Sequence, residues 1–211
     1  MTSASAEELG VAAAALRAGH VVAIPTDTVY GVAVDPSRVG ATVRLFAVKG
    51  RPPEVALPIL VADAGQAAEL AGTAGWTEAA RRLAERYWPG ALTVVVYRRP
   101  GLEWDLGGDP STIGLRCPAN AAARALCREV GPLATTSANR HGEPSCTTAA
   151  EVRTVFGPEL LVVDDGPGQG VASTVVDLTG RAAGIERRGA VSLLRQGAVS
   201  FDEVAQLLAE L

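Results

Sequence analysis

Short β-branched runs alternate with stretches of helical periodicity along nearly the whole chain, and that alternation restricts the fold more than any other feature. Strand-like runs lie at His20–Pro25, Leu57–Ala62, Leu92–Tyr97, Thr112–Arg116, Leu133–Thr136, Leu160–Val163 and Ser173–Leu178. Between and around them, helical spacing of apolar residues appears at Glu7–Ala18, Val39–Val48, Ala64–Ala71, Thr77–Tyr87, Ala119–Val130, Thr148–Phe156 and Phe201–Leu208. Ser5-Ala6-Glu7-Glu8 has the form of a capping box ahead of the first helix, and Gly19 ends it. The pattern predicts an α/β protein, a mixed sheet flanked by helices, folded as one domain over residues 1–211. Neither a linker nor an internal repeat interrupts it. Arg98–Ser111, rich in Pro, Gly and Asp, is the longest loop and is expected to form a mobile flap.

Hydrophobic residues make up 48% and charged residues 20%, the balance of a globular core. The apolar runs are far too short to span a bilayer, and two glutamates with no basic segment precede the first alanines. No membrane association and a cytoplasmic location are therefore expected. Cys117, Cys127 and Cys146 include no CxxC pair, and only His20 and His141 could join them, so no metal site is expected. A net charge of -4 and a pI near 5.3 argue against a basic nucleic-acid-binding surface, but leave room for a local cationic cleft.

The groups able to do chemistry cluster at strand ends. Pro25-Thr26-Asp27-Thr28-Val29-Tyr30-Gly31 crowds hydroxyls and a carboxylate into one turn, which suits either a binding loop or an Asx-turn. Thr112-Ile113-Gly114-Leu115-Arg116 ends in a guanidinium that could clamp a carboxylate or phosphate, or pair with a surface acid. Thr135-Thr136-Ser137-Ala138-Asn139 offers small hydroxyl and amide groups for a substrate, or for a turn. Asp164–Gly170 looks like a nucleotide loop, but no helix follows it, and both the Rossmann fingerprint and the P-loop need one. It reads as a flexible hairpin connection presenting Ser173 and Thr174. No G-x-S-x-G elbow or Ser/His/Asp set is present. Cations, hydroxyls and amides without a nucleophile suit the positioning of anionic substrates, as in phosphoryl or nucleotidyl transfer.

IPTDTVYG, KGRP, WPGALT, TIGLRCP, TTSAN-x-x-G-x-PS and STVVDL, in this order, resemble the YrdC family of threonylcarbamoyl-AMP synthases. The resemblance implies an open twisted sheet around a positively lined cavity, in the short single-domain form. It implies condensation of L-threonine, bicarbonate and ATP into threonylcarbamoyl-adenylate with release of pyrophosphate. Downstream transferase proteins would use that product at adenosine 37 of tRNAs reading codons that begin with A. Mg²⁺ would arrive with ATP, and tRNA or double-stranded RNA would be contacted weakly. By position, Thr28, Arg116, Ser137 and Ser173 would hold threonine. Lys49, Arg51, Thr112, Asn139 and Thr147 would face ATP, with Lys49 and Arg51 catalytic. A late arginine would close the nucleotide site. Arg187 has the more usual spacing and Arg195 the better flanks, and Arg195 is expected. The sequence departs from the family at Val55-Ala56, at Leu60, where a histidine is common, and at His141, where a serine is common.

Lys49 is the only lysine beside 18 arginines. A compact ammonium fits between anionic groups where a planar guanidinium does not. As a cavity-lining group it is expected to matter little for folding. Two other readings share these residues: a non-catalytic RNA-binding module, disfavoured by 4% aromatic content and the acidic charge, and a biosynthetic enzyme handling a carbamoyl-adenylate.

Overall fold

Ten strands and seven helices are formed among the residues described by this computed structural model, 4–50, 52, 54–140, 142–181 and 183–211. The strands are β1 (Val22–Ile24), β2 (Gly31–Val34), β3 (Ile59–Leu60), β4 (Leu92–Tyr97), β5 (Thr112–Arg116), β6 (Leu133–Ser137), β7 (Leu161–Val162), β8 (Thr174–Asp177), β9 (Glu186–Arg188) and β10 (Val191–Arg195). The helices are α1 (Ala6–Arg17), α2 (Ala41–Lys49), α3 (Ala64–Gly75), α4 (Glu78–Tyr87), α5 (Ala121–Val130), α6 (Ala149–Phe156) and α7 (Phe201–Ala209). All ten strands join one sheet in the order β7-β1-β2-β6-β3-β5-β4-β8-β10-β9. The β1/β7, β3/β5 and β4/β8 pairs are parallel and the others antiparallel, so the sheet is mixed as expected.

Local chemistry sets the helix ends. Ser5 and Glu8 form the full capping box of α1, Thr148 and Glu151 form another on α6, and Asn120 caps α5 through Ala123. The stretch Ala64–Ala71 is helical, and Gly72, at φ 62° and ψ -174°, kinks the element before it continues to Gly75. Two apolar clusters flank the sheet. Ala12, Ala13 and Leu16 of α1 pack with Leu126 and Cys127 of α5 over Val22, Ile24 and Leu133. Tyr30, Leu45, Leu83, Leu92 and Val176 belong to the larger cluster. Val22 and Ile24 therefore face one cluster while Ala23 between them faces the other, which is why β1 reads as an unbroken apolar run.

Two loop expectations are corrected. Arg98–Ser111 is anchored: Arg98 N–H bonds to the Ser111 carbonyl, Leu57 N–H to the Leu106 carbonyl, and Leu102 and Leu106 are buried. Burying two leucines ties this loop to the core and leaves no free flap. The Asp164–Gly170 stretch is not a hairpin, because β7 lies at one sheet edge beside β1 while β8 sits between β4 and β10. It crosses the molecule and is pinned by Gly168 N–H to Thr147 O, Gln169 N–H to Asp27 O and Gly170 N–H to Thr28 O.

Candidate active site

Alternate residues of the central strands point to the same open face of the sheet, and two adjoining cavities lie on it. The first, about 140 Å³, is walled by Thr28, Thr93, Arg116, Ser137, Ser173 and Arg195 among others. The second, about 270 Å³, is more apolar, with Leu57, Val95, Leu106, Gly114 and Val175 in its lining and Thr112 at its wall. Pro58, Thr93 and Arg195 belong to both and form the seam between them. Five residues expected at the site, Thr28, Arg116, Ser137, Ser173 and Arg195, therefore meet in one cavity although they come from five separate segments.

Arg116 ends β5 and is only 6% exposed. Its Nε donates to Gly90 O at 2.9 Å, Nη1 to Thr28 Oγ1 at 2.9 Å and Nη2 to Asp27 Oδ1 at 2.7 Å. Asp27 Oδ1 also accepts from Ala119 N–H at 2.9 Å. The carboxylate in the threonine-rich turn is thus the ion-pair partner of a buried guanidinium. Burial lowers the Arg116 pKa, Asp27 raises it, and the neighbouring Arg195 lowers it again. Burial also lowers the Arg195 pKa. An arginine starts so far above neutrality that both stay charged. Among the described residues they are the two charged side chains on the wall of the first cavity.

Arg195, the last residue of β10, grips Ser173. Its Nε donates to Ser173 O at 3.0 Å and its Nη2 to Ser173 Oγ at 2.9 Å. Ser173 Oγ also lies 2.9 Å from Thr93 Oγ1. Lys49, at the end of α2, donates to Ser137 O at 2.7 Å, to Ser137 Oγ at 3.2 Å and to Asn139 Oδ1 through a shorter bond. Ser137 Oγ in turn donates to Asn139 Oδ1 at 2.7 Å. Lys49 is 3% exposed. It ties α2 to the end of β6, so the expectation that it contributes little to folding is corrected.

The remaining expected residues are more dispersed. Thr112 borders the second cavity and hydrogen-bonds Asp109 O at 3.2 Å. Thr147 precedes α6 and donates its hydroxyl to Glu151 at 3.1 Å, away from the walls of both cavities. Arg187 lies on β9, exposed, with its Nε on Gly189 O. The edge position of β9 carries it away from the cavities, whereas Arg195 lines both of them. Arg51 and His141 lie outside the described residues.

Known proteins resemble this chain closely. The family whose model is described as "Telomere recombination", Sua5/YciO/YrdC, matches residues 14–189. A Mycobacterium leprae protein is 40% identical over 207 residues, covering 97% of this chain and 93% of its own length. The chain belongs to the Sua5/YciO/YrdC family. The threonylcarbamoyl-AMP synthase of Bacillus subtilis is 40% identical over 173 residues, which are 80% of this chain and 49% of that protein. The crystal structure of Pyrococcus abyssi Sua5 complexed with L-threonine superposes with a TM-score of 0.85 at 35% identity, over 96% of this chain and 57% of that one. The chain thus spans about half the length of these two longer relatives.

Within this Sua5/YciO/YrdC fold, sequence reasoning missed three contributors. Asp27 looked like a turn former, and its pairing with Arg116 depends on a contact 89 residues away in sequence. Thr93 ends the WPGALT motif and lies in the strand-like Leu92–Tyr97 run, and neither signal reveals its contact with Ser173, 80 residues away. Tyr30 is buried and donates to Gly166 O at 2.9 Å, and burial beside Asp164 pushes its pKa up to about 12.

Proposed function

We propose that this chain is an L-threonylcarbamoyladenylate synthase, joining L-threonine, bicarbonate and ATP into threonylcarbamoyl-AMP and pyrophosphate. One observation carries the reading: a buried, pre-positioned Arg116 shares a small hydroxyl-lined cavity with Ser137, Ser173 and Arg195. A guanidinium has five N–H donors. Gly90, Thr28 and Asp27 take one on Nε, one on Nη1 and one on Nη2, leaving a donor on each Nη for a substrate carboxylate. The hydroxyls nearby suit the amine and β-hydroxyl of threonine, and the Pyrococcus abyssi relative is complexed with that same amino acid.

The second cavity supports ATP as the co-substrate. Its apolar walls around Gly114, Val95 and Val175 suit a planar base, with Thr112 beside them. A triphosphate reaching from there toward Lys49 and Asn139 would pass Arg195 at the seam. Bicarbonate loses water to give CO₂, the neutral threonine amine adds to it and releases a proton to water, and an oxygen of the resulting carbamate attacks the α-phosphorus as pyrophosphate leaves. The protein supplies no nucleophile. It brings anions together and neutralises the charge that moves onto pyrophosphate.

Mg²⁺ would enter as its ATP complex, with phosphate oxygens and water as its ligands. The product would pass to a tRNA-modifying transferase acting at adenosine 37, with at most weak direct contact to tRNA. No helix among the described residues is long and apolar enough to cross a membrane, and the proposed setting is the cytoplasm. The test is incubation with ATP, bicarbonate and threonine, followed by mass spectrometry. Threonylcarbamoyl-AMP should appear only with all three present, and its absence from the complete mixture would overturn the assignment.

A further inference from the structure

We infer that Thr93 is a positioning residue for this reaction, acting on the cavity through Ser173 and Arg195; the inference rests on the synthase reading above. Thr93 is 3% exposed and is one of the residues shared by both cavities. Its Oγ1 lies 2.9 Å from Ser173 Oγ, and Arg195 Nη2 donates to that same Ser173 oxygen at 2.9 Å. Ser173 is itself 4% exposed.

Counting protons gives the consequence. A hydroxyl has one donor and two acceptor positions. Arg195 already fills one acceptor position on Ser173 Oγ. If Thr93 donates to Ser173, the second acceptor position is filled as well, and the Ser173 proton is left for the cavity. If Ser173 donates to Thr93, the Thr93 proton is left instead. In both arrangements the pair contributes one O–H donor beside the Arg195 guanidinium. The seam then presents donors to an oxygen that gains or carries negative charge. A serine acceptor stays open to an ammonium only in the second arrangement. The seam lies between the cavity assigned to threonine and the cavity assigned to the nucleotide, where the carbamate oxygen must meet the α-phosphorus.

Without the Thr93 hydroxyl, Ser173 can rotate, and Arg195 keeps its hold on the Ser173 carbonyl but loses a fixed partner in the hydroxyl. Thr93→Val keeps the shape and removes the hydroxyl, whereas Thr93→Ser keeps the hydroxyl and removes the methyl. Thr93→Val should lower kcat about tenfold or more, in the range seen when an oriented donor is lost. The threonine KM should move less than kcat, because Arg116 is held by other groups. Thr93→Ser should recover most of the rate.

The deciding measurement is a double-mutant cycle with Ser173→Ala, using adenylate formation and thermal melts on the full chain. If Thr93 works through Ser173, Thr93→Val should add little further loss of kcat in the Ser173→Ala background. Multiplying losses, equal damage from Thr93→Val and Thr93→Ser, or wild-type kcat in Thr93→Val would each overturn the inference while leaving the synthase reading intact. A wild-type protein that makes no adenylate would overturn both.

Discussion

At the scale of single residues, the site depends on which side chains are held before any substrate arrives. Arg116 is fixed on three sides by Gly90, Thr28 and Asp27, so its remaining donors point in a set direction. Lysine cannot reproduce that fork. Arg116→Lys should raise the threonine KM about tenfold or more, since a hydrogen bond to a charged group is worth about 1.5–3 kcal/mol. The ATP KM should change much less, and equal weakening of both substrates would show that Arg116 serves the structure alone. Lys49 couples chemistry and folding. Lys49→Ala should reduce kcat by about two orders of magnitude, because a cation is lost where charge moves onto pyrophosphate. It should also lower the melting temperature, because Ser137 and Asn139 lose a buried donor. That cost is about 1–3 kcal/mol. Lys49→Arg should restore only part of the rate, and full wild-type turnover in Lys49→Ala would end the case for a catalytic ammonium.

At the scale of elements, what could be read in the sequence followed from local signals. Every expected helix formed, because caps such as Ser5 and Thr148 and apolar spacing act over a few residues. Strands β2, β9 and β10 were not anticipated. Gly31–Val34 is only four residues behind a polar turn, and β9 is an exposed Glu-Arg-Arg edge with no apolar alternation. The Asp164–Gly170 crossover was misread because its partners, Asp27, Thr28 and Thr147, are distant in sequence. The flanking residues favoured Arg195 over Arg187, and the sheet puts Arg195 on the cavity walls and Arg187 on the exposed edge strand. The crossover has its own consequence. A Cβ placed on Gly168 would lie 2.7 Å from Thr28 O and 3.0 Å from Thr28 C. Such contacts do not occur in packed proteins, so Gly168→Ala must push the crossover off the Thr26–Thr28 turn. Threonine binding, measured by calorimetry, should weaken several-fold while the fold survives in circular dichroism. Unchanged affinity would show that the turn holds Thr28 without the crossover.

At the scale of the whole molecule, charge is distributed against the average. The chain carries a net charge of -4, yet its first cavity is walled by two arginines and adjoins a buried lysine. A net negative chain offers little to an RNA backbone, whereas arginines on the wall of a small cavity suit compact anions. Mg²⁺ is proposed to join the reaction as part of its ATP complex, with phosphate oxygens and water as its ligands. Three results should follow. Excess chelator should abolish adenylate formation, and added Mg²⁺ should restore it. Across titrations at different ATP levels, the rate should track the concentration of the Mg²⁺–ATP complex. Mg²⁺ alone should leave the melting temperature unchanged, because a metal without a protein site gives no linkage to folding. A melting temperature that rises with Mg²⁺ in the absence of nucleotide would place the metal on the protein and contradict this assignment.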